Sequence, residues 1–352
     1  MADSSYPENV SYQESVVFGK EELKRRRKSR LKRTGSEIKH LLESLDYRDP
    51  VAIIDPGIGF HTKTLRFFMQ RISPHNSEGT EKAGPSKWNK YGHRHTVEAV
   101  IRFLSGAGYS IIDGARYEWR AGDFLCVPVF AWHRHVNISD EPAVYVAGVT
   151  NPFHKAIGQM IFEDELYPEQ WIFAQKGETA MGTLIPGVAE GASLREKGAV
   201  CDAERLYLME LRSAHEEEKR RRAGKVLVHE QELVFEDTSL GKMAYVVDPR
   251  LGFNVKVIST HMYEILPGHA TTVHRHMHEE ICYILSGDGL SVIGDAMESW
   301  TAGDAIFVPP LEWHEHRNQG KQTARILVHT NRPLTENIGL SLTQHFSGEV
   351  KT

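Results

Sequence analysis

The chain has 352 residues, 40% hydrophobic and 25% charged, a composition that fits a globular protein and excludes a disordered or fibrous one. Its net charge of −5, with 42 Lys and Arg against 47 Asp and Glu, gives no general attraction to nucleic acid or to an anionic membrane. Three scattered cysteines without CxxC spacing (Cys126, Cys201, Cys282) rule out a disulfide framework or zinc knuckle, and the absence of an apolar span or export signal leads us to expect a cytoplasmic protein.

Residues 1–44 form a charged N-terminal segment. Lys24 to Arg33 is almost wholly basic. A similar run, Glu216 to Arg222, recurs later in charge-balanced form, so both read as solvated helices or subunit contacts rather than a nucleic-acid arm. A first unit spans 45–160. It opens with Ile53-Ile54-Asp55-Pro56-Gly57-Ile58-Gly59-Phe60 and continues through apolar, β-rich stretches at Thr64–Ile72 and Ala99–Leu104. Between them lies a polar insertion, His75–Gly92, which carries Lys87, Trp88 and Tyr91 and reads as a loop at the mouth of the unit. Turns at Ser105–Gly108 and Asp113-Gly114 punctuate the strands. Residues 161–239 connect the units, with a helix expected over Glu163–Ala174 and a linker over 175–200. A second unit spans 240–345.

The second unit repeats the first. His93-Arg94-His95 returns as His274-Arg275-His276, and Trp132-His133-Arg134-His135 as Trp313-His314-Glu315-His316, both displaced by 181 residues. No residue is gained or lost between the histidine groups in either copy. Residues i and i+2 of a strand share a face, so each His-x-His pair points one way and a later strand can bring the third histidine to it. Glu280 lies on the same parity as His276 and adds a carboxylate in the second copy only. Three imidazoles, with or without a carboxylate, suit Fe(II), Mn, Ni or Cu and leave coordination positions open. The candidate metal ligands are therefore His93, His95 and His133 in the first unit, and His274, His276, Glu280 and His314 in the second.

His274-x-His276-x3-Glu280-x6-Gly287 and Gly303-x5-Pro309-x4-His314-x3-Asn318 resemble the two motifs of the cupin superfamily, and Gly122-x5-Pro128-x4-His133-x3-Asn137 repeats the second of them. The chain is thus similar to bicupins, which implies an all-β fold of two tandem jelly-roll barrels with short flanking helices. More narrowly, Asp55–Gly59, His93–Thr96 and Gly122–Phe124 with Trp132–His135 resemble the gentisate, salicylate and 1-hydroxy-2-naphthoate dioxygenase group. That resemblance implies Fe(II) on His93, His95 and His133, a homo-oligomer, and ring cleavage of a hydroxylated aromatic acid by O2. His135 and its counterpart His316 are the candidate acid/base or hydrogen-bonding groups. The group's substrate-gripping arginine falls at Ile101 here, with Arg102 on the opposite face. Substrate contacts are accordingly expected from Ile101, Arg66, Arg71 and Trp88.

Other residues read as structural. Glu98 and Glu279 face away from the ligands and are expected to be solvated or salt-bridged. His278 is not counted as a ligand. Trp119, Trp300, Trp132, Trp313, Cys126 and Cys282 are expected to pack the barrels, while Gly106 and Gly108 serve turns of positive φ. The alternatives to a dioxygenase are a Mn- or Ni-dependent bicupin decarboxylase, isomerase or lyase, and a non-catalytic small-molecule binder.

Overall fold

A computed structural model describes residues 11–45, 49–76, 92–172 and 201–346. Lys87, Trp88, Tyr91 and the 175–200 linker lie outside them. The architecture is all-β and antiparallel throughout, with two jelly-roll barrels each made of two facing sheets. In the first barrel a six-stranded sheet centres on Ala99–Ser105 and Ala143–Val149, and a five-stranded sheet contains His93–His95 and His133–Asn137. The second barrel repeats this with Glu280–Ser286 and Ala324–Thr330 opposite His274–His276 and His314–Asn318.

Alternation along the strands builds three cores. Ile101, Phe103, Tyr145 and Ala147 point into the first barrel, and Cys282, Ile284, Ile326 and Val328 into the second. The residues between them point outward, yet they remain buried because the backs of the two large sheets pack on each other. Val100, Phe124, Cys126 and Val146 meet Met262, Ile281, Phe307 and Leu327 there. Cys126 therefore packs between the barrels rather than inside one.

The upstream segments cross over. Lys32-Arg33 adds an edge strand to the second barrel, pairing with Ala305 and Ile306, while Leu227-Val228 adds one to the first, pairing with Phe124 and Leu125. The basic run, within and after the helix Tyr12–Arg27, is solvated at Lys24, Arg25, Arg27 and Lys28 and is also anchored to the second barrel: Arg26 pairs with Glu279, Arg27 with Glu312, and Lys32 with Asp304. Arg221, in the helix Asp202–Ala223, likewise reaches Asp113 of the first barrel.

Two buried glutamates fasten the barrels reciprocally: neither is solvated, and of the expected salt bridges Glu279 makes one, with Arg26. Glu98 accepts hydrogen bonds from the backbone N–H groups of Lys256 (2.5 Å), Val257 (3.0 Å) and Ile258 (3.0 Å). Glu279 accepts from the Lys63 and Thr64 amides at 2.7 and 3.2 Å and from the Thr62 and Thr64 hydroxyls at 2.8 Å. Each carboxylate thus satisfies loop amides of the other barrel that would otherwise be buried without acceptors.

Among the described residues, which end here at Ile172, the helix expected over Glu163–Ala174 is not formed. Phe162–Asp164 is a strand on His93–His95, followed by a single 3-10 turn at Pro168–Gln170. Buried Glu163 receives the guanidinium of buried Arg94, an ion pair that holds the segment extended against the sheet.

Candidate metal centres

The trio from the first barrel converges. His93 and His95 come from one strand, His133 from the strand paired with it, and His93 lies directly opposite His133 in register. Ring centroids are 4.3 Å apart for His93–His133, 4.8 Å for His95–His133 and 5.6 Å for His93–His95. The second barrel gives 4.2, 4.8 and 5.5 Å for His274–His314, His276–His314 and His274–His276. The duplication thus preserves the ring geometry to about a tenth of an ångström. Within each group the ligand atoms all lie within 4.8 Å of one another, and Glu280 belongs to the second.

Hydrogen bonds orient the rings. The Nδ1 atoms of His95, His133, His274 and His314 lie 2.8–2.9 Å from the backbone carbonyls of Val97, Ala131, Thr272 and Glu312. A carbonyl only accepts, so Nδ1 carries the proton and each Nε2 turns a lone pair to the centre. Burial and neighbouring imidazoles keep these rings neutral. His95 and His133 are each lowered to about 3, and His93 falls well below the ordinary range. Burial would raise Glu280, but the His276 and His316 rings against its two oxygens hold it well below the usual carboxylate range. The residues fit a cation: His314 Nε2 is buried without a hydrogen-bond partner, and lone pairs from neutral imidazoles converge with a carboxylate.

The two centres differ in access. A cavity of about 290 Å³ opens onto the first trio and is lined also by His135, Ile101, Phe68, Gln70 and Tyr145. In the second, His274, His276, Glu280 and His314 are only 1–3% exposed. The strands pair in equivalent register, Ala99 with Val127 and Glu280 with Val308, so Ala99 stands where the second barrel has its carboxylate. The same correspondence sets Ile101 against Cys282, whose Sγ lies 3.2 Å from Glu280 Oε1.

Models of the cupin domain match residues 83–149 and 261–330, one in each barrel. The chain thus carries two cupin domains in tandem. It is 24% identical over 294 residues to a gentisate 1,2-dioxygenase from Streptomyces sp (82% of this chain, 75% of that protein). Identity is also 24% with a 5-aminosalicylate 1,2-dioxygenase from Comamonas sp, over 72% of this chain and 65% of the relative. It is 23% with a 1-hydroxy-2-naphthoate 1,2-dioxygenase from Nocardioides sp. (strain KP7), over 74% and 62%. The fold matches that of a salicylate 1,2-dioxygenase from Pseudaminobacter salicylatoxidans with a TM-score of 0.60 at 14% identity, covering 98% of this chain and 92% of that one. The bicupin thus resembles ring-cleaving dioxygenases that act on differently substituted aromatic acids.

The remaining sequence candidates fall in several places. Arg66 and Arg71 line the cavity, but Arg66 is paired with Asp55 at 2.7 Å and Arg71 donates to the Leu45 carbonyl at 2.6 Å. Arg102 faces away from the first barrel and pairs with Glu230. His316, expected as an acid/base group, is fully buried, and its Nε2 lies 3.3 Å from Glu280 Oε1. His278 stacks on His276 at 3.6 Å. Trp132 and Trp313 lie outside the barrels, beneath Arg94 and Arg275. Gly108 does not adopt positive φ; it is a strand residue where a Cβ would strike the Trp119 ring at 2.7 Å.

Several lining residues were not anticipated, among them Phe68, Gln70, Tyr145 and Phe162. Phe162 stacks on His93 at 5.0 Å and 19°, roofing the first trio. The sequence carried no signal for it: Thr343–His345, 181 residues on, pairs with His274–His276 in the same way but shares no residue with Phe162–Asp164.

Proposed function

We propose that the first barrel binds Fe(II) through His93, His95 and His133 and opens the ring of a hydroxylated aromatic acid with O2. The observation that carries this reading is the cavity on the first trio, where Ala99 stands in place of the carboxylate that completes the buried second centre. Three neutral ligands on one face leave adjacent positions for substrate and O2, so the metal supplies proximity and oxygen activation.

The chain's own residues shape what enters. Phe68, Ile101 and Phe162 make apolar walls for a ring. Tyr145 donates to Gln70 Oε1 at 2.8 Å, which sets a hydrogen-bonded polar pair into the cavity wall. With Ile101 in the arginine slot, a less acidic or bulkier ring than gentisate suits the cavity. We assign the second centre a structural role, because its four ligands are sealed from solvent.

Its complete donor set is also what a Mn- or Ni-dependent decarboxylase, isomerase or lyase would use. Anaerobic Fe(II) reconstitution followed by an oxygen-electrode screen of salicylates, gentisate, hydroxynaphthoates and aminophenols separates the readings. Oxygen uptake with iron supports ring cleavage, whereas turnover with manganese or nickel and no oxygen uptake replaces it.

A further inference from the structure

Behind His135 and its counterpart His316 stands the same buried relay. Trp119 Nε1 donates to Ser110 Oγ at 3.0 Å, and Ser110 Oγ lies 2.8 Å from His135 Nδ1. In the second barrel Trp300 donates to Ser291 at 3.0 Å, with Ser291 2.7 Å from His316 Nδ1. Trp119, Ser110, Trp300 and Ser291 are all at most 3% exposed. Strand register places Ser110 opposite His135 and Gly108 opposite Trp119, so the missing Cβ of Gly108 makes room for the indole that reaches the serine.

An indole N–H can only donate, so it occupies a lone pair of the hydroxyl. The second lone pair could accept from an Nδ1–H, but Ser110 is fully buried and among the described residues its Oγ meets no acceptor other than His135 Nδ1, so the hydroxyl proton goes to Nδ1 and the imidazole proton resides on Nε2. The second barrel reveals what that Nε2–H serves: it faces Glu280 Oε1 at 3.3 Å, while Glu280 Oε2 lies 3.2 Å from His276 Nε2. There the relay holds the carboxylate that belongs to the metal-ligating group. In the first barrel Ala99 has removed the carboxylate but the relay remains, and His135 lines the open cavity.

We infer that Trp119 and Ser110 are positioning residues that lock His135 in its neutral Nε2–H tautomer, a fixed donor to an anionic oxygen of the ligand. That oxygen takes the place held by the Glu280 carboxylate in the second barrel. The tautomer rests on geometry alone; only the identification of the ligand as a ring-cleavage substrate rests on the function proposed above.

The test uses the full chain loaded with Zn(II), which is diamagnetic, with ¹⁵N-labelled histidine. The His135 signals are assigned by their loss in His135→Asn. The expected spectrum has a protonated Nε2 and a bare Nδ1. Ser110→Ala redistributes the tautomers and Ser110→Thr restores them. Calorimetric binding of salicylate should weaken about tenfold in Ser110→Ala, with a smaller change for salicylamide, since a hydrogen bond to a charged group is stronger than one to a neutral group. A bare Nε2 in the unsubstituted protein overturns the inference whatever the variants do, as does an unchanged tautomer in folded Ser110→Ala. Absence of oxygen uptake with every aromatic acid, beside the expected spectrum, would remove the ring-cleavage reading and leave the relay standing.

Discussion

Ala99 and Glu280 occupy the same strand position in their respective barrels, and a single carboxylate separates an open centre from a closed one. The imidazole geometry around them is otherwise preserved, so the ligand count follows from this one difference. Ala99→Glu should therefore strengthen metal retention at the first centre and abolish turnover by filling the substrate position. Glu280→Ala should weaken retention at the second centre by about ten- to hundredfold. Metal content after graded dialysis against a chelator measures both, and unchanged retention in Ala99→Glu would show that the position does not reach the metal.

His93→Ala and His133→Ala should each remove one equivalent of metal and all activity while preserving the far-ultraviolet circular dichroism, because each barrel has its own apolar core. His274→Ala and His314→Ala should remove the other equivalent and lower the melting temperature, with activity at the first centre retained below that temperature. Normal turnover by iron-replete His133→Ala would exclude the first centre as catalytic.

Glu98 and Glu279 make the joint between the barrels a polar lock within an apolar interface. Glu98→Ala leaves three amides without an acceptor, two of them within buried hydrogen bonds, and should cost about 2–5 kcal/mol, from ~1–3 kcal/mol per unsatisfied group. Urea denaturation of the metal-free protein checks this. A loss below ~1 kcal/mol would mean that water replaces the carboxylate.

Parity along a strand and the constant 181-residue offset were enough to read the two barrels and both histidine groups. Parity states which face a residue takes but not what lies opposite. Glu98 and Glu279 were placed away from the ligands, yet the sequence holds no sign that the other barrel's loops wait there. The crossed edge strands at Lys32-Arg33 and Leu227-Val228 were hidden for the same reason, since two-residue strands have no periodicity and their partners are remote. The strand at Phe162 was read as helix because its polar surroundings mask a β pattern that only pairing with His93–His95 reveals.

Acid should destabilise the metal-free protein earlier than its carboxylates alone would. Burial, with neighbouring imidazoles, lowers His95 and His133 to about 3 and His135 to about 4. Below pH ~6.5 the unfolded chain binds protons that these folded rings refuse. Their stabilising contribution is therefore complete above ~6.5 and is lost as pH falls toward 3–4, at about 1.4 kcal/mol per pH unit for each ring. Urea midpoints at pH 7.5, 6.0 and 5.0 should fall steadily, less so in His135→Asn. A flat profile over this window would show that water reaches the rings and lets them protonate in the folded state.

The last prediction concerns the ring's acidic group. Ile101 lines the cavity at the position where related dioxygenases are expected to carry arginine, and it is 3% exposed. Arg66 and Arg71 also line the cavity, but Arg66 is held by Asp55 and Arg71 by the Leu45 carbonyl, so neither replaces that arginine without breaking its contact. A substrate carboxylate facing Ile101 forgoes a charge-assisted contact of about 1.5–3 kcal/mol, roughly ten- to hundredfold in binding. Gentisate should accordingly be a poor substrate, and Ile101→Arg should lower its KM with a smaller change in kcat. Because an arginine introduced at a buried site can disturb packing, Ile101→Lys and Ile101→Gln provide a charged and a neutral control of graded length. Efficient gentisate turnover by the unsubstituted bicupin would sink the idea and point to Arg66 or Arg71 leaving its present partner to bind the acid.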